Sequence, residues 1–157
     1  MESIFTMLLQ VACAFAASCA FAVAFEIRGK NILFGGIGGA VGWTFYLAFS
    51  FIYHNQYMLY FIAGLAISLY SEIFARVRKS PVTVFLIVAF IPLVPGGDAY
   101  RTMEYCILGQ FSMAVHTCLR MLGIAGSIVL GVFFASTIFR FIYSILFRNK
   151  NTMAHKN

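Results

Sequence analysis

Charged side chains are scarce in this sequence. Asp, Glu, Lys and Arg together make up 10% of its 157 residues, and only five of them are acidic. Hydrophobic residues make up 62%, and the mean hydropathy is +0.90. A soluble domain of this composition would expose a large contiguous apolar surface, which soluble monomers avoid. The composition therefore excludes an ordinary soluble domain and predicts an integral membrane protein.

The sequence also lacks the patterns that mark metal centres, disulfide frameworks and common catalytic sites. Its four cysteines lie inside apolar stretches, with no CxxC pair and no Cys/His ligand spacing. It contains no GxSxG or HExxH motif. The glycine-rich run at residues 34–42 is not followed by Lys-Ser/Thr, so helix packing explains it better than a nucleotide loop. We therefore expect no enzyme activity, no cofactor and no metal site.

Long uncharged runs dominate the chain instead. Residues 3–25 carry no charge and fit one helical span, while the uncharged residues 31–71 fit two. We expect the first helix to be retained rather than removed as a signal peptide, because no positive charge precedes it. The sequence predicts an all-α integral membrane protein, a single transmembrane domain with about five transmembrane helices. The predicted spans are residues 5–25, 32–52, 57–75, 81–95 with a broken continuation at 98–115, and 121–147.

Lys and Arg are distributed unevenly among the predicted loops. If the N-terminus is outside, nine of these residues are cytoplasmic and two are external, as the positive-inside rule requires. They lie in short loops and the tail rather than on a face interleaved with aromatics, so we expect no nucleic-acid partner. The nine are Arg28, Lys30, Arg76, Arg78, Lys79, Arg140, Arg148, Lys150 and Lys156, and the two are Arg101 and Arg120.

One apolar segment is interrupted by residues that break helices. Pro92, Pro95, Gly96 and Gly97 end a hydrophobic run, and Asp98 follows at once. In hydrocarbon every backbone N–H and C=O needs a partner, so unwound backbone is tolerated only against protein or a polar cavity. Transporters place their substrate sites at such breaks. The segment therefore indicates a solute pathway, and a loop at the membrane surface is the alternative.

The residues around this break offer groups for both ends of a zwitterion. Asp98 is positioned to cap a helix that starts at residue 99, and the N–H groups of that helix would favour a carboxylate. Carbonyls freed at residues 91–94 could receive an ammonium group. Arg101 could bind a carboxylate, or pair with Asp98 and Glu104 along one helical face. The proposed substrate-binding residues are Gly96, Gly97, Asp98, Tyr100 and Arg101, with Pro92 and Pro95 forming the break.

Two carboxylates are candidates for ion coupling. Glu72 follows an apolar span, and a carboxylate near the mouth of a membrane protein could carry a coupling proton. Because Arg76 lies four residues further on, a simple helical ion pair is the alternative. Glu104 is the second candidate. His116 is expected at the surface near the last helix, and residues 105–119 are expected to complete the broken element and connect it to that helix.

Small residues recur at every fourth position in three of the predicted helices. Residues four apart share a helix face, and small faces let membrane helices approach closely. These stripes indicate close packing, either inside this chain or against a partner subunit. They comprise Ala12, Ala16, Ala20 and Ala24; the pairs Gly35/Gly39 and Gly38/Gly42; and Gly123, Ser127, Gly131 and Ala135.

Two stretches of the chain resemble a known family. Residues 71–85 read Ser-Glu-Ile-Phe-Ala-Arg-Val-Arg-Lys-Ser-Pro-Val-Thr-Val-Phe, and residues 91–103 read Ile-Pro-Leu-Val-Pro-Gly-Gly-Asp-Ala-Tyr-Arg-Thr-Met. In these motifs, in length and in the number of spans, the chain resembles the small, C-terminal-half membrane subunit of the threonine/serine exporter family.

The resemblance implies a polytopic exporter of small amino acids in a bacterial cytoplasmic (inner) membrane. It also implies a larger companion subunit, so that the working exporter is a hetero-oligomer. The substrate stays open between threonine- or serine-like amino acids and related small carboxylates. A non-transporting assembly or stabilising subunit is the alternative function.

Overall fold

The computed structural model describes residues 4–154, and in the last helix it describes side chains only up to residue 143 and at residue 145. Arg148 and Lys150 therefore have undescribed side chains, and Lys156 lies outside the described residues. The elements are α1 (Ile4–Ala24), α2 (Asn31–Ser50), α3 (Gln56–Arg78), α4 (Val82–Phe90), a 3₁₀ turn (Ile91–Leu93), α5 (Gly96–Ile107) and α6 (Phe111–Ala154).

Four of these helices are long and apolar enough to cross a membrane. They are α1, α2, α3 and the Phe111–Tyr143 part of α6. The segments Val82–Leu93 and Gly96–Ile107 pass the same test only as a pair, and they are bent by 55° relative to each other. The predicted all-α membrane fold with about five membrane helices, one of them broken, is thus confirmed.

Helix α2 lies at the centre of the bundle because its glycines carry no side chain and let neighbouring helices approach closely. α2 packs against α1, α3 and α4. A Cβ atom added to Gly36 would lie 2.9 Å from the Phe15 ring of α1, and one added to Gly38 would lie 2.8 Å from Ala89 of α4. Such distances are shorter than a side chain tolerates, so close approach requires glycine here. The buried glycines are Gly35, Gly36, Gly38, Gly39 and Gly42.

Helix α1 packs within the bundle through a face other than its alanine stripe. The residues that it buries are Ala14, Ser18 and Ala22, and Ser18 packs against Gly39 of α2. This face is as small as the stripe, so the four-residue spacing does not distinguish between them. All four stripe residues, Ala12, Ala16, Ala20 and Ala24, are exposed in the described structure.

Helices α3 and α6 approach each other through glycines on both sides. A Cβ atom added to Gly64 of α3 would lie 2.8 Å from the Ile128 carbonyl oxygen of α6. Gly131 of α6 packs in the same way on the backbone of α3, and a Cβ there would lie 3.0 Å from the Leu65 nitrogen. Around this contact lies the core of the bundle, which comprises Ala63, Ile67, Ala89, Leu93, Ile124 and Ile128.

The last two helices differ from the predicted arrangement. Gly109 adopts a φ of +71°, which reverses the chain between the end of α5 and the start of α6 at Phe111. Residues 111–119, predicted as part of a connecting loop, are instead the first turns of α6. The polar residues that favoured a loop are accommodated on the helix, because Thr117 bonds to the Met113 carbonyl at 2.9 Å and His116 is exposed.

Two alanine substitutions in α6 test the close contact with α3. Gly131→Ala places a methyl group against the backbone of Phe61 and Leu65, which cannot swing away, and it should lower the free energy of unfolding by about 1–3 kcal/mol. Gly126→Ala is the matched control, since nothing lies within 4 Å of a Cβ there, and it should raise stability by about 0.5–1 kcal/mol. Thermal unfolding in detergent measures both, and equal effects would contradict the contact.

Candidate functional site

The break after α4 is made by the two prolines. α4 has nine residues, and a 3₁₀ turn follows it. Pro92 has no N–H to donate to the carbonyl of Val88, and Pro95 stands at the N-cap of α5. Of the carbonyls predicted to be free, that of Ile91 accepts from Val94 N–H at 3.1 Å, and that of Val94 accepts from Gly96 N–H at 2.7 Å. Some of the carbonyl groups at the break are therefore hydrogen-bonded to neighbouring backbone N–H groups.

The break lies level with the middle turns of its neighbours. Leu93 is buried in the core with Ile67, at the middle of α3, and lies close to Gly42 of α2. Pro92 lines a cavity of about 280 Å³ together with Ala14, at the middle of α1. The chain therefore unwinds halfway along the bundle rather than at one end of it.

The predicted site residues do not all converge. Gly96 and Gly97 are exposed, and nothing lies within 4 Å of a Cβ added to either. Tyr100 is 69% exposed, and Arg101 is also exposed. Asp98 alone turns inwards, with a side chain that is 13% exposed.

Asp98 pairs across to α6 rather than along its own helix. Its Oδ2 lies 3.4 Å from Nε of Arg120. The prediction that Asp98 caps the helix is wrong, because α5 begins at Gly96 and Pro95 occupies the cap position. The suggested pairing of Asp98 with Arg101 and Glu104 is also wrong, because neither residue belongs to the two ion pairs in the described part of the chain.

An aromatic group lies near this ion pair. Tyr60 of α3 is within electrostatic range of both Asp98 and Arg120. The Tyr46 and Tyr60 rings are 5.0 Å apart, and the Trp43 ring stacks on Tyr46 at 5.2 Å. We call Trp43, Tyr46, Tyr60, Asp98 and Arg120 the break cluster.

The break cluster offers one anion, one cation and several aromatic faces. Nε of Arg120 is buried and has no hydrogen-bond partner among the described residues, although it lies beside Asp98. The Arg120 side chain as a whole is 42% exposed, so its guanidinium is accessible to a ligand oxygen. Aromatic faces attract an ammonium group, as a carboxylate does. Sequence reasoning missed Arg120 because it stands just before the predicted last span, where it counted as a loop charge.

A second polar group lies between α3 and α6, on the other side of the core. Arg76 donates to Glu72 Oε2 at 2.6 Å, and the Glu72 side chain is only 3% exposed. The Arg76 guanidinium lies over the rings of Phe139 and Tyr143, at 4.4 and 4.6 Å from their centroids. The helical ion pair considered for Glu72 is thus present; its carboxylate is buried, whereas Arg76 is exposed on the side that does not face α6.

Hydroxyl groups continue this polar region along α3 and α6 towards the middle of the bundle. We call Glu72, Ser68, Ser71 and Ser136 the polar column. Ser68, one turn before Glu72, lies 3.0 Å from the Ser136 hydroxyl and 3.2 Å from the Val132 carbonyl. Ser71 is fully buried, and its hydroxyl has no partner among the described residues. A buried carboxylate and two buried hydroxyl groups therefore lie within about one turn of each other on α3. Glu104, by contrast, is exposed on α5.

An all-helical bundle whose spanning element unwinds at half its height and is followed by a cation–anion pair between α5 and α6 is the architecture of a multi-pass membrane transporter. The family model described as threonine/serine exporter, ThrE, matches residues 10–138, and the chain belongs to that family. No curated protein and no solved structure matches the chain. Family membership supports a transporter role rather than catalysis, and it confirms the resemblance found in the sequence.

Double-mutant cycles should separate the two ion pairs. Glu72→Gln combined with Arg76→Gln should give a coupling energy of about 1–3 kcal/mol, because the contact is short and the carboxylate is buried. Asp98→Asn combined with Arg120→Gln should give less than about 1 kcal/mol, because the separation is longer and Arg120 is 42% exposed. Unfolding in detergent measures both cycles. The reverse order would show that the Asp98–Arg120 pair is structural rather than available to a ligand.

Proposed function

We propose that the chain is a subunit of a secondary exporter that moves small amino acids, threonine- or serine-like, or related small carboxylates out of the cell. The observation that carries the proposal is the helix break at mid-height, followed by the Asp98–Arg120 pair between α5 and α6. Unwound backbone inside a membrane is stable only against protein or a polar path, and substrate sites of secondary transporters use such breaks.

Recognition would use both ends of an amino acid. Arg120 supplies a guanidinium on a side chain that is 42% exposed, and it would bind the substrate carboxylate. Asp98 would accept the ammonium group, with the Tyr60 and Tyr46 faces beside it. The N–H groups of Gly96 and Gly97, in the first turn of α5, would add donors for the carboxylate.

The exporter would be completed by a larger companion subunit. Tyr100 and Arg101 are exposed on α5, a helix that buries none of its residues within this chain. The alanine stripe of α1 is also exposed, and small faces of this kind let membrane helices approach closely. In this arrangement the two subunits each contribute half of the pathway, and one half moves against the other in alternating access.

The same reasoning extends to location and orientation. The distribution of Lys and Arg supports an N-terminus outside and a C-terminus in the cytoplasm of a bacterial inner membrane. The Glu72–Arg76 pair then lies towards the cytoplasmic end of α3. We propose Glu72 as the coupling carboxylate because it is buried in a polar column, and Glu104 as the second candidate because it is free of the two described ion pairs.

Efflux of labelled threonine, serine and a dicarboxylate from cells that co-express the chain and its companion tests the site. Asp98→Asn and Arg120→Gln should each lower the efflux rate about tenfold, the effect of losing one charge-assisted hydrogen bond. Arg28→Gln, in the exposed loop before α2, is the charge-matched control and should leave efflux unchanged. Co-purification with the companion verifies that each variant still assembles.

Two outcomes would count against the proposal. If Asp98→Asn or Arg120→Gln spares efflux while assembly stays intact, the residue concerned does not bind substrate. If the companion alone exports every substrate at the full rate, this chain serves assembly or stability instead of transport. Loss of efflux when either subunit is expressed alone would support the two-part exporter.

The coupling role of Glu72 is tested separately in liposomes that contain both subunits. Glu72→Gln keeps the shape of the side chain and a hydrogen bond to Arg76, but it cannot bind and release a proton. Exchange of substrate without a pH gradient should persist, whereas the acceleration by an imposed pH gradient should disappear. Glu104→Gln is the matched variant. A Glu72→Gln protein that responds to the gradient as the unsubstituted protein does would assign coupling elsewhere.

A further inference from the structure

A cleft of about 470 Å³ separates α4 from α6. α4 packs against α2 and α3, whereas α6 packs against α3 and α5. The space between α4 and α6 is therefore left open. One wall is formed by α4 and the other by α6, and nearly all of the lining is apolar. The walls consist of Leu86, Ile87 and Phe90 on α4, and of Val129, Val132 and Phe133 on α6.

The cleft opens sideways, towards the surroundings of the bundle. Ile87 is 46% exposed, and Val129 and Phe133 are 65% and 64% exposed. In a membrane protein such a lateral opening faces lipid, because the hydrocarbon is the solvent at that depth. A hydrocarbon chain therefore has direct access to the cleft from the bilayer.

One end of the cleft is polar and positively charged. Ser136, Thr137 and Arg140 line it there, and no acidic residue lines it at any point. Phe139, beside them on α6, lies under the Arg76 guanidinium, so this end belongs to the basic end of the bundle. The cleft thus combines an apolar trough with two hydroxyl groups and a cation at its mouth.

We propose that this cleft binds an anionic phospholipid, with one acyl chain between α4 and α6 and the phosphate at Arg140. The hydroxyl group of Thr137 would donate to a phosphate oxygen, and the guanidinium would pair with the negative charge. Basic pockets between membrane helices at a charged membrane face bind phospholipid head groups in this manner. The proposal is independent of the exported substrate, and it stands whichever solute the exporter carries.

A helix of another protein is a poorer fit to this cleft. Such a helix would have to bring an acidic side chain next to Arg140 at the edge of the hydrocarbon, which membrane helices rarely carry. A phospholipid carries its negative charge at the end of an acyl chain. Along α6 the lining likewise passes from the apolar Ile128, Val129 and Val132 to the polar Ser136, Thr137 and Arg140. Charge and shape therefore favour the lipid over a protein segment.

Fluorescence quenching by brominated lipids tests the proposal on the full chain in lipid nanodiscs. Phe133→Trp puts an indole in the cleft, and Leu130→Trp puts one on the neighbouring surface of α6, which does not line the cleft. The signal of the native Trp43 is subtracted by using the unsubstituted protein. Brominated phosphatidylglycerol should quench the Phe133→Trp protein at a roughly fivefold lower mole fraction than brominated phosphatidylcholine does, the preference expected for one arginine.

The controls identify the source of that preference. Adding Arg140→Gln to Phe133→Trp should abolish the difference between the two lipids, whereas adding Arg28→Gln, another basic residue outside the cleft, should leave it unchanged. Leu130→Trp should be quenched equally by both lipids.

Two results would overturn the proposal. Equal quenching of the Phe133→Trp protein by both lipids would mean that the cleft has no head-group site. Protection of that indole from both lipids would mean that protein, either a second copy or a companion, covers the cleft. Because Phe133→Trp could disturb packing, retention of phosphatidylglycerol by the unsubstituted and the Arg140→Gln proteins, measured by native mass spectrometry, gives a second readout, and equal retention would also overturn the proposal.

Discussion

The close approach of α2 to three neighbouring helices is the constraint on which the rest of the structure depends. In hydrocarbon no hydrophobic effect draws helices together, so association relies on dispersion contacts between closely fitted surfaces. The glycines of α2 allow α1, α3 and α4 to contact one central helix at the same height. α4 packs against α2 and is short, so the break that follows it lies in the middle of the bundle rather than at an edge. Leu93, within the break, is buried there among core residues.

The break in turn positions the charges. α5 leaves the axis of α4 at 55° and packs against the first turns of α6, which sets Asp98 opposite Arg120. The aromatic rings of α2 and α3 reach the same place from the other side. Helix α6 contacts both ion pairs, because it carries Arg120 at one end and packs Phe139 against the Arg76 guanidinium at the other.

Much of this fold could be predicted from the sequence, because a bilayer imposes a strong constraint on composition. Uncharged runs identified the first three helices, and Pro92 and Pro95 identified the break, since proline cannot continue a helix. The site was harder to predict, because it depends on which residues meet across helices. Arg120 was predicted to be a loop charge, because the chain reversal at Gly109, which lets α6 begin early and pack along α5, was not predicted. The alanine stripe of α1 was a poor guide to its buried face, because Ala14, Ser18 and Ala22 are equally small.

The length of α6 has a mechanical consequence. It is a single helix of 44 residues, about 66 Å long at 1.5 Å per residue, or about twice the hydrocarbon thickness of a bilayer. It meets α3 at its tightest point where Gly64 and Gly131 leave no room for side chains, so this crossing is a natural fulcrum. A rigid rod that tilts on a fulcrum displaces its two ends in opposite directions. A small tilt that opens the Arg120 end would therefore close the Phe139 end, and in the proposed exporter this rocking motion would give access from one side at a time.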